Sequence, residues 1–86
     1  MGDKPTAAAT YIDFIDHGIP FGKKTRWWSV VPKAGGAEIG EIKWYGPWRK
    51  YCFFAAGYAV FEETCLREIA QFVQDRTKEH RAAKAA

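Results

Sequence analysis

The sequence is poor in the residues that most often carry chemistry. Its 86 residues include two cysteines and two histidines. Cys52 and Cys65 are too few for a disulfide scaffold, so two separate, reduced thiols are expected. His17 and His80 lie near opposite ends of the chain, and no Cys, His or carboxylate cluster has metal-ligand spacing. There is no GxxxxGK[ST], no GxGxxG and no paired-acid motif. Asp16-His17 reads as a helix end, and Cys65 falls on an apolar stripe where a thiol is inert packing. The expectation is a protein that is not an enzyme and takes no cofactor and no metal. No run approaches the roughly 18 apolar residues of a membrane span. The opening MGDKPTAAAT has no hydrophobic stretch of signal-peptide type. A cytoplasmic protein without a membrane partner is expected, in the host cell's cytoplasm if the chain is phage-encoded. The length allows a single domain, 1–86, with a small core.

Aromatic residues are abundant, at 16 %, and they are unevenly placed. All four tryptophans and ten of the fourteen aromatics lie between Trp27 and Phe61. Charge follows the same segment. Residues 17–61 carry seven Lys or Arg against Glu38 and Glu41, whereas residues 62–86 carry five charges of each sign. Interleaved bases and aromatics bind phosphates and stack nucleobases. They also fill the core of a very small domain.

Periodicity outlines the fold. Residues 1–9 read as a disordered lead and 10–18 as a short helical turn, with Thr10 as N-cap and Gly18 as stop. Residues 26–61 read as a β-sheet. Its strands are Arg26–Pro32, Glu38–Tyr45 and Trp48–Ala55, with residues 57–61 as a turn or short fourth strand, and Gly35-Gly36 marks one turn. Gly46-Pro47 suits a two-residue type II′ hairpin turn. From Glu62 the period changes, and Cys65, Leu66, Ile69, Phe72 and Val73 form a stripe at helical spacing over 62–79. The tail 80–86 loses that stripe and reads as frayed. The fold class is α+β: a small antiparallel sheet of three to four strands with one long C-terminal helix packed on one face.

The hairpin fixes a register. A two-residue loop pairs Tyr45 with Trp48, Trp44 with Arg49, Lys43 with Lys50 and Ile42 with Tyr51. One face then carries Ile42, Trp44, Arg49, Tyr51 and Phe53, the natural seat for the helix, with Arg49 stacking on Trp44. The other carries Lys43, Tyr45, Trp48 and Lys50. Two opposed lysines repel, and either a bound anion or Glu41, two residues along the strand, relieves them. The candidate ligand-binding residues are therefore Lys43, Trp44, Tyr45, Trp48, Arg49 and Lys50, the aromatics stacking a base and the cations taking phosphates.

The segment Trp28, Val30, then Gly40, Ile42, Trp44, Tyr45, Trp48, Arg49, Tyr51, Phe53, then Cys65, Leu66, Ile69, Phe72 resembles a group of small uncharacterised phage and bacterial proteins. Their pattern is W-x-V, a Gly loop, G-x-I-x-W-Y-x-x-W-R-x-Y-x-F, then C-L-x-x-I-x-x-F. Ala55-Ala56 departs from it where a proline is expected. The resemblance implies a fold unit and a phage setting. Phage proteins of this size include anti-defence proteins that sequester nucleotide immune signals, an analogy of size and ligand chemistry. The expected function is non-enzymatic binding of a phosphate-bearing small molecule of nucleotide type. A chain of this size hardly encloses a pocket of about 300 Å³, so a homo-oligomer is expected to complete the site. The alternatives are a single-stranded nucleic-acid-binding accessory protein on the same sheet, and a protein-interaction module anchored by Trp27, Trp48 and the helix, which inhibits a host factor.

Overall fold

Ile12 and Phe14 sit two residues apart and turn the same way, the spacing of a strand. The computed structural model, which describes residues 11–85, accordingly has β1 at Ile12–Asp16 where a helical turn was expected. Ile12 and Ile15 also fit a helical spacing, but Ile12 is buried and Ile15 is exposed. Pairing decides the matter. β1 lies antiparallel to β2 (Trp28–Pro32), with Phe14 opposite Val30, and so shields an edge of the sheet that would otherwise stand open. This is the fourth strand. Residues 57–61 form a turn and coil instead. The disordered lead expected at 1–9 lies outside the described residues.

β3 (Gly40–Tyr45) and β4 (Lys50–Ala55) complete an antiparallel sheet of order β1-β2-β3-β4. Gly40 is required where it stands, because a Cβ there would lie 2.4 Å from the Phe53 ring and 2.7 Å from the Phe54 carbonyl. Strand α-carbons then alternate between two faces. One carries Ile12, Phe14, Trp28, Val30, Ile42, Trp44, Tyr51 and Phe53, and α1 (Glu63–Ala85) packs on it. Aromatic rings interlock in that layer. Phe72 stacks on Phe14 at 4.0 Å and meets the Trp28 ring edge-on at 5.2 Å, and Trp28 meets Tyr51 at 5.4 Å.

Glu62 starts α1. Its carboxylate accepts the Cys65 backbone N–H at 2.7 Å, satisfying one of the helix's unpaired donors. That bond holds the Glu62 carboxyl below its usual range. The buried stripe is Cys65, Ile69 and Phe72, while Leu66, expected in the stripe, is 50 % exposed. The stripe does not stop at Val73. Arg76 lies over the Phe72 ring at 4.6 Å, the Thr77 hydroxyl accepts the Tyr51 N–H at 3.0 Å, and His80 rests against Trp44. α1 runs through Ala85, past residue 80 where the apolar stripe was expected to end. The Thr77 bond also closes one of the outward N–H groups of β4, an edge strand.

Candidate functional site

The β3–β4 connection has four residues rather than two. Tyr45 pairs with Lys50, and Gly46–Trp48 forms one 3-10 turn. Proline at its start has the φ a helical turn needs and no N–H to lose. Arg49 closes the loop, its N–H donating to the carbonyls of Tyr45 and Gly46 at 3.0 and 3.1 Å. It does so at φ 54°, in the left-handed region that glycine occupies freely and other residues occupy at a cost of about 1 kcal/mol.

The longer loop corrects the expected register. Trp44 faces Tyr51, Lys43 faces Cys52 and Ile42 faces Phe53. The shift is two residues, so every strand residue keeps its expected face. What fails is the opposition of Lys43 and Lys50, and with it the argument for an anion held between them. Lys43 pairs with Glu41 at 3.3 Å and lies 4.8 Å over the Phe54 ring. Arg49 and Trp48 leave the strand altogether. The rings against Trp44 are His80 and Tyr51, with centroids 4.5 and 5.3 Å away, and not the Arg49 guanidinium.

The six candidate residues therefore divide. Lys43, Tyr45, Trp48 and Lys50 belong to the open face of the sheet. There Tyr45 meets Trp48 at 5.0 Å and Phe54 at 6.1 Å, a small aromatic cluster with Trp48 66 % exposed. Trp44 and Arg49 belong to the helix side. They line a hollow of about 400 Å³ with Gly46, His80, Arg81 and Lys84. Arg81 donates to the Arg49 carbonyl at 3.1 Å and ties the hairpin tip to the last turns of α1. No carboxylate is among the described residues lining this hollow.

A second hollow, about 500 Å³, opens at the same end of the sheet. Lys23, Thr25, Arg26 and Trp27 from the β1–β2 connection face Glu41, Lys43 and Trp44 from β3. The connection is braced. The Asp16 carboxylate accepts the Gly18 N–H at 2.7 Å and both of its oxygens take the Arg26 guanidinium at 3.1 Å. His17, expected at a helix end, stacks on Trp27 at 4.0 Å and hydrogen-bonds the buried Ser29 hydroxyl at 2.7 Å. Both hollows are open, and a single chain carries them. Neither hollow encloses a ligand on its own, as expected of so small a chain.

His80, Arg81 and Lys84 were missed by reading the tail as frayed. Their signal was present, since Phe72, Arg76, His80 and Lys84 recur every four residues along one helix stripe. Cations in the last turns also complement the helix dipole, which alone would explain their sign. It does not explain an arginine at a left-handed position across from them. The two thiols are free and on opposite sides of the sheet, Cys65 in the core and Cys52 on the open face. Burial pushes both up from the ordinary thiol range, and the Glu62 carboxylate adds to the shift of Cys65. Burial likewise raises the Tyr51 phenol.

No protein-family model matches the chain, and no solved structure matches it. An uncharacterised 9.3 kDa protein of Acholeplasma phage L2 is 34 % identical over 71 residues, 83 % of this chain and 90 % of that protein. Among the described residues, no helix is long and apolar enough to cross a membrane, and no group of His, Cys, Asp and Glu is placed to hold a metal ion.

Proposed function

The chain belongs to the family of the Acholeplasma phage L2 protein, and on that premise we propose that it binds a phosphate-bearing ligand of nucleotide type without chemically altering it. The site is the hollow between the hairpin tip and the end of α1. The observation that carries this reading is the set Arg49, Arg81 and Lys84 around Trp44 with no lining carboxylate among the described residues. Arginine offers two parallel N–H donors to a phosphate, and an indole offers a face to a base. A glycine at position 49 would close the loop with less strain, so the basic side chain there supports a role beyond the turn. In a phage-type protein, holding such a ligand amounts to sequestration, which keeps a nucleotide signal from its receptor.

Calorimetric titration with ADP-ribose, a cyclic nucleotide and inorganic phosphate tests this. At least one nucleotide should bind more tightly than phosphate, and added salt should weaken it. Lys84→Glu and Arg49→Glu should reduce affinity strongly, and Lys50→Glu, on the open face, only slightly. Mass analysis should return the ligand unchanged. Equal sensitivity to Lys50→Glu would move the site to the open face, and a cleaved product would end the non-enzymatic reading.

A further inference from the structure

The two hollows share a wall. Trp44 lines both. By strand alternation Trp27 and Lys43 belong to the open face and Trp44 to the helix face. The larger hollow thus wraps around the end of the sheet, and the smaller continues from Trp44 to the end of α1. A third depression reaches Lys24 and Tyr51 and shares Arg26 with the larger hollow and His80 with the smaller. The three depressions therefore adjoin around Trp44 and are larger than one phosphate needs, and their carboxylates Glu41 and Glu79 are paired with Lys43 and Arg76. Of their cations, Arg26 is held by Asp16 and Lys43 by Glu41. Lys23, Lys24, Arg49 and Lys84 have no ion-pair partner among the described residues. An indole stands in each part, Trp27 in the larger hollow and Trp44 between the two.

Resting on the reading above, we infer that this groove takes two nucleotides joined by a phosphodiester, one base in each hollow, either as a free dinucleotide or as a stretch of single-stranded nucleic acid. A mononucleotide fills one hollow and leaves Lys23 and Lys24 unsatisfied. A linked pair reaches cations on both sides of Trp44. Each base gains an aromatic surface, and the linking phosphate passes over the ridge that Trp44 makes.

The experiment compares AMP, a cyclic dinucleotide and octathymidylate by titration against wild-type protein, Lys23→Glu and Lys84→Glu. Both lysines are exposed, and the circular-dichroism melt of each variant checks that it folds. At least one linked ligand should bind roughly tenfold or more tightly than AMP, through a second stacked base and further phosphate contacts. Lys23→Glu should weaken the linked ligand and leave AMP unchanged, whereas Lys84→Glu should weaken both. Preference for the cyclic dinucleotide supports the free form, and preference for octathymidylate with a steeper salt dependence supports the strand. If AMP binds as tightly as either linked ligand and Lys23→Glu changes nothing, the two-nucleotide groove is wrong while single-nucleotide binding stands. If none of the three binds, both fall.

Discussion

The two ends of the sheet are built from similar material and use it differently. At the end where β1 begins and α1 starts, charge is matched. Lys33 pairs with Asp13 at 2.6 Å, Arg67 with Glu63 at 2.8 Å, and the Glu62 carboxylate is spent on the Cys65 N–H. At the end where the hairpin tip and the tail of α1 meet, Lys23, Lys24, Arg49 and Lys84 have no such partner among the described residues, and Trp44 and Trp27 stand in open hollows. Exposed ion pairs contribute little to stability, so this contrast says little about folding. One end pairs its charges internally, and the other keeps four cations without an ion-pair partner among the described residues, which on the proposed function a ligand completes.

The comparison breaks most visibly if the layer between the ends is disturbed. Phe72 stacks on Phe14, meets Trp28 and lies under Arg76, so Phe72→Ala should cost about 3–5 kcal/mol, read by denaturant unfolding. That would remove most of the stability of so small a domain and silence both ends together. Leu66→Ala, one position off the buried stripe, should cost about 0.5 kcal/mol or less. Equal losses would mean the helix is rotated from the face described.

Gly40→Ala should come next, at about 1–3 kcal/mol, because the added methyl collides with the Phe53 ring and the Phe54 carbonyl. The hairpin tip should then behave in the opposite sense. Arg49→Gly removes the left-handed strain and should leave stability level or raise it by up to about 1 kcal/mol, while weakening ligand binding. A thermal melt and a titration on the same sample separate the two effects. A gain in stability with unchanged affinity would make Arg49 a turn residue alone.

The smallest effect lies at the charge-matched end. The Glu62 carboxyl is held below its ordinary value, so its contribution is complete above about pH 4.5 and is lost as pH falls through the lowered folded value. Glu62→Gln should lower melting slightly at neutral pH, flatten the acid limb of the stability profile and leave ligand binding at the other end untouched. An unchanged acid limb would mean the carboxylate does not cap the helix.

Most of the layering was legible in the sequence because burial imposes a period. The helix and three of the strands follow from it. The face of each hairpin strand residue also survived a wrong turn, since a shift of two residues preserves parity. Other features were set by contacts between distant residues. The local spacings of Ile12, Phe14 and Ile15 fit both a strand and a helical turn, and pairing with β2 decided for the strand. Gly46-Pro47 began a four-residue loop because Arg49 accepts a left-handed φ, an exception a propensity rule does not anticipate. The tail of α1 looked featureless, yet His80 and Arg81 are ordered by Trp44 and by the Arg49 carbonyl, partners more than thirty residues away. The six expected residues accordingly divide between the two faces. Trp44 and Arg49 stand with the helix cations, and Lys43, Tyr45, Trp48 and Lys50 stand on the other face.

The four tryptophans offer the most direct test, because each reports a different place. Trp28 is buried in the core, Trp48 is exposed at the tip with the open-face aromatics, Trp27 lines the larger hollow, and Trp44 stands between the two hollows. Their indole N–H signals can be followed in a nitrogen-15 correlation spectrum as ADP is added. Binding at the basic end should move the Trp44 signal most, with Trp48 nearly still. Movement of Trp48 with Trp44 unchanged would place the ligand on the open face, and four unmoved signals at saturating ADP would contradict nucleotide binding at this end.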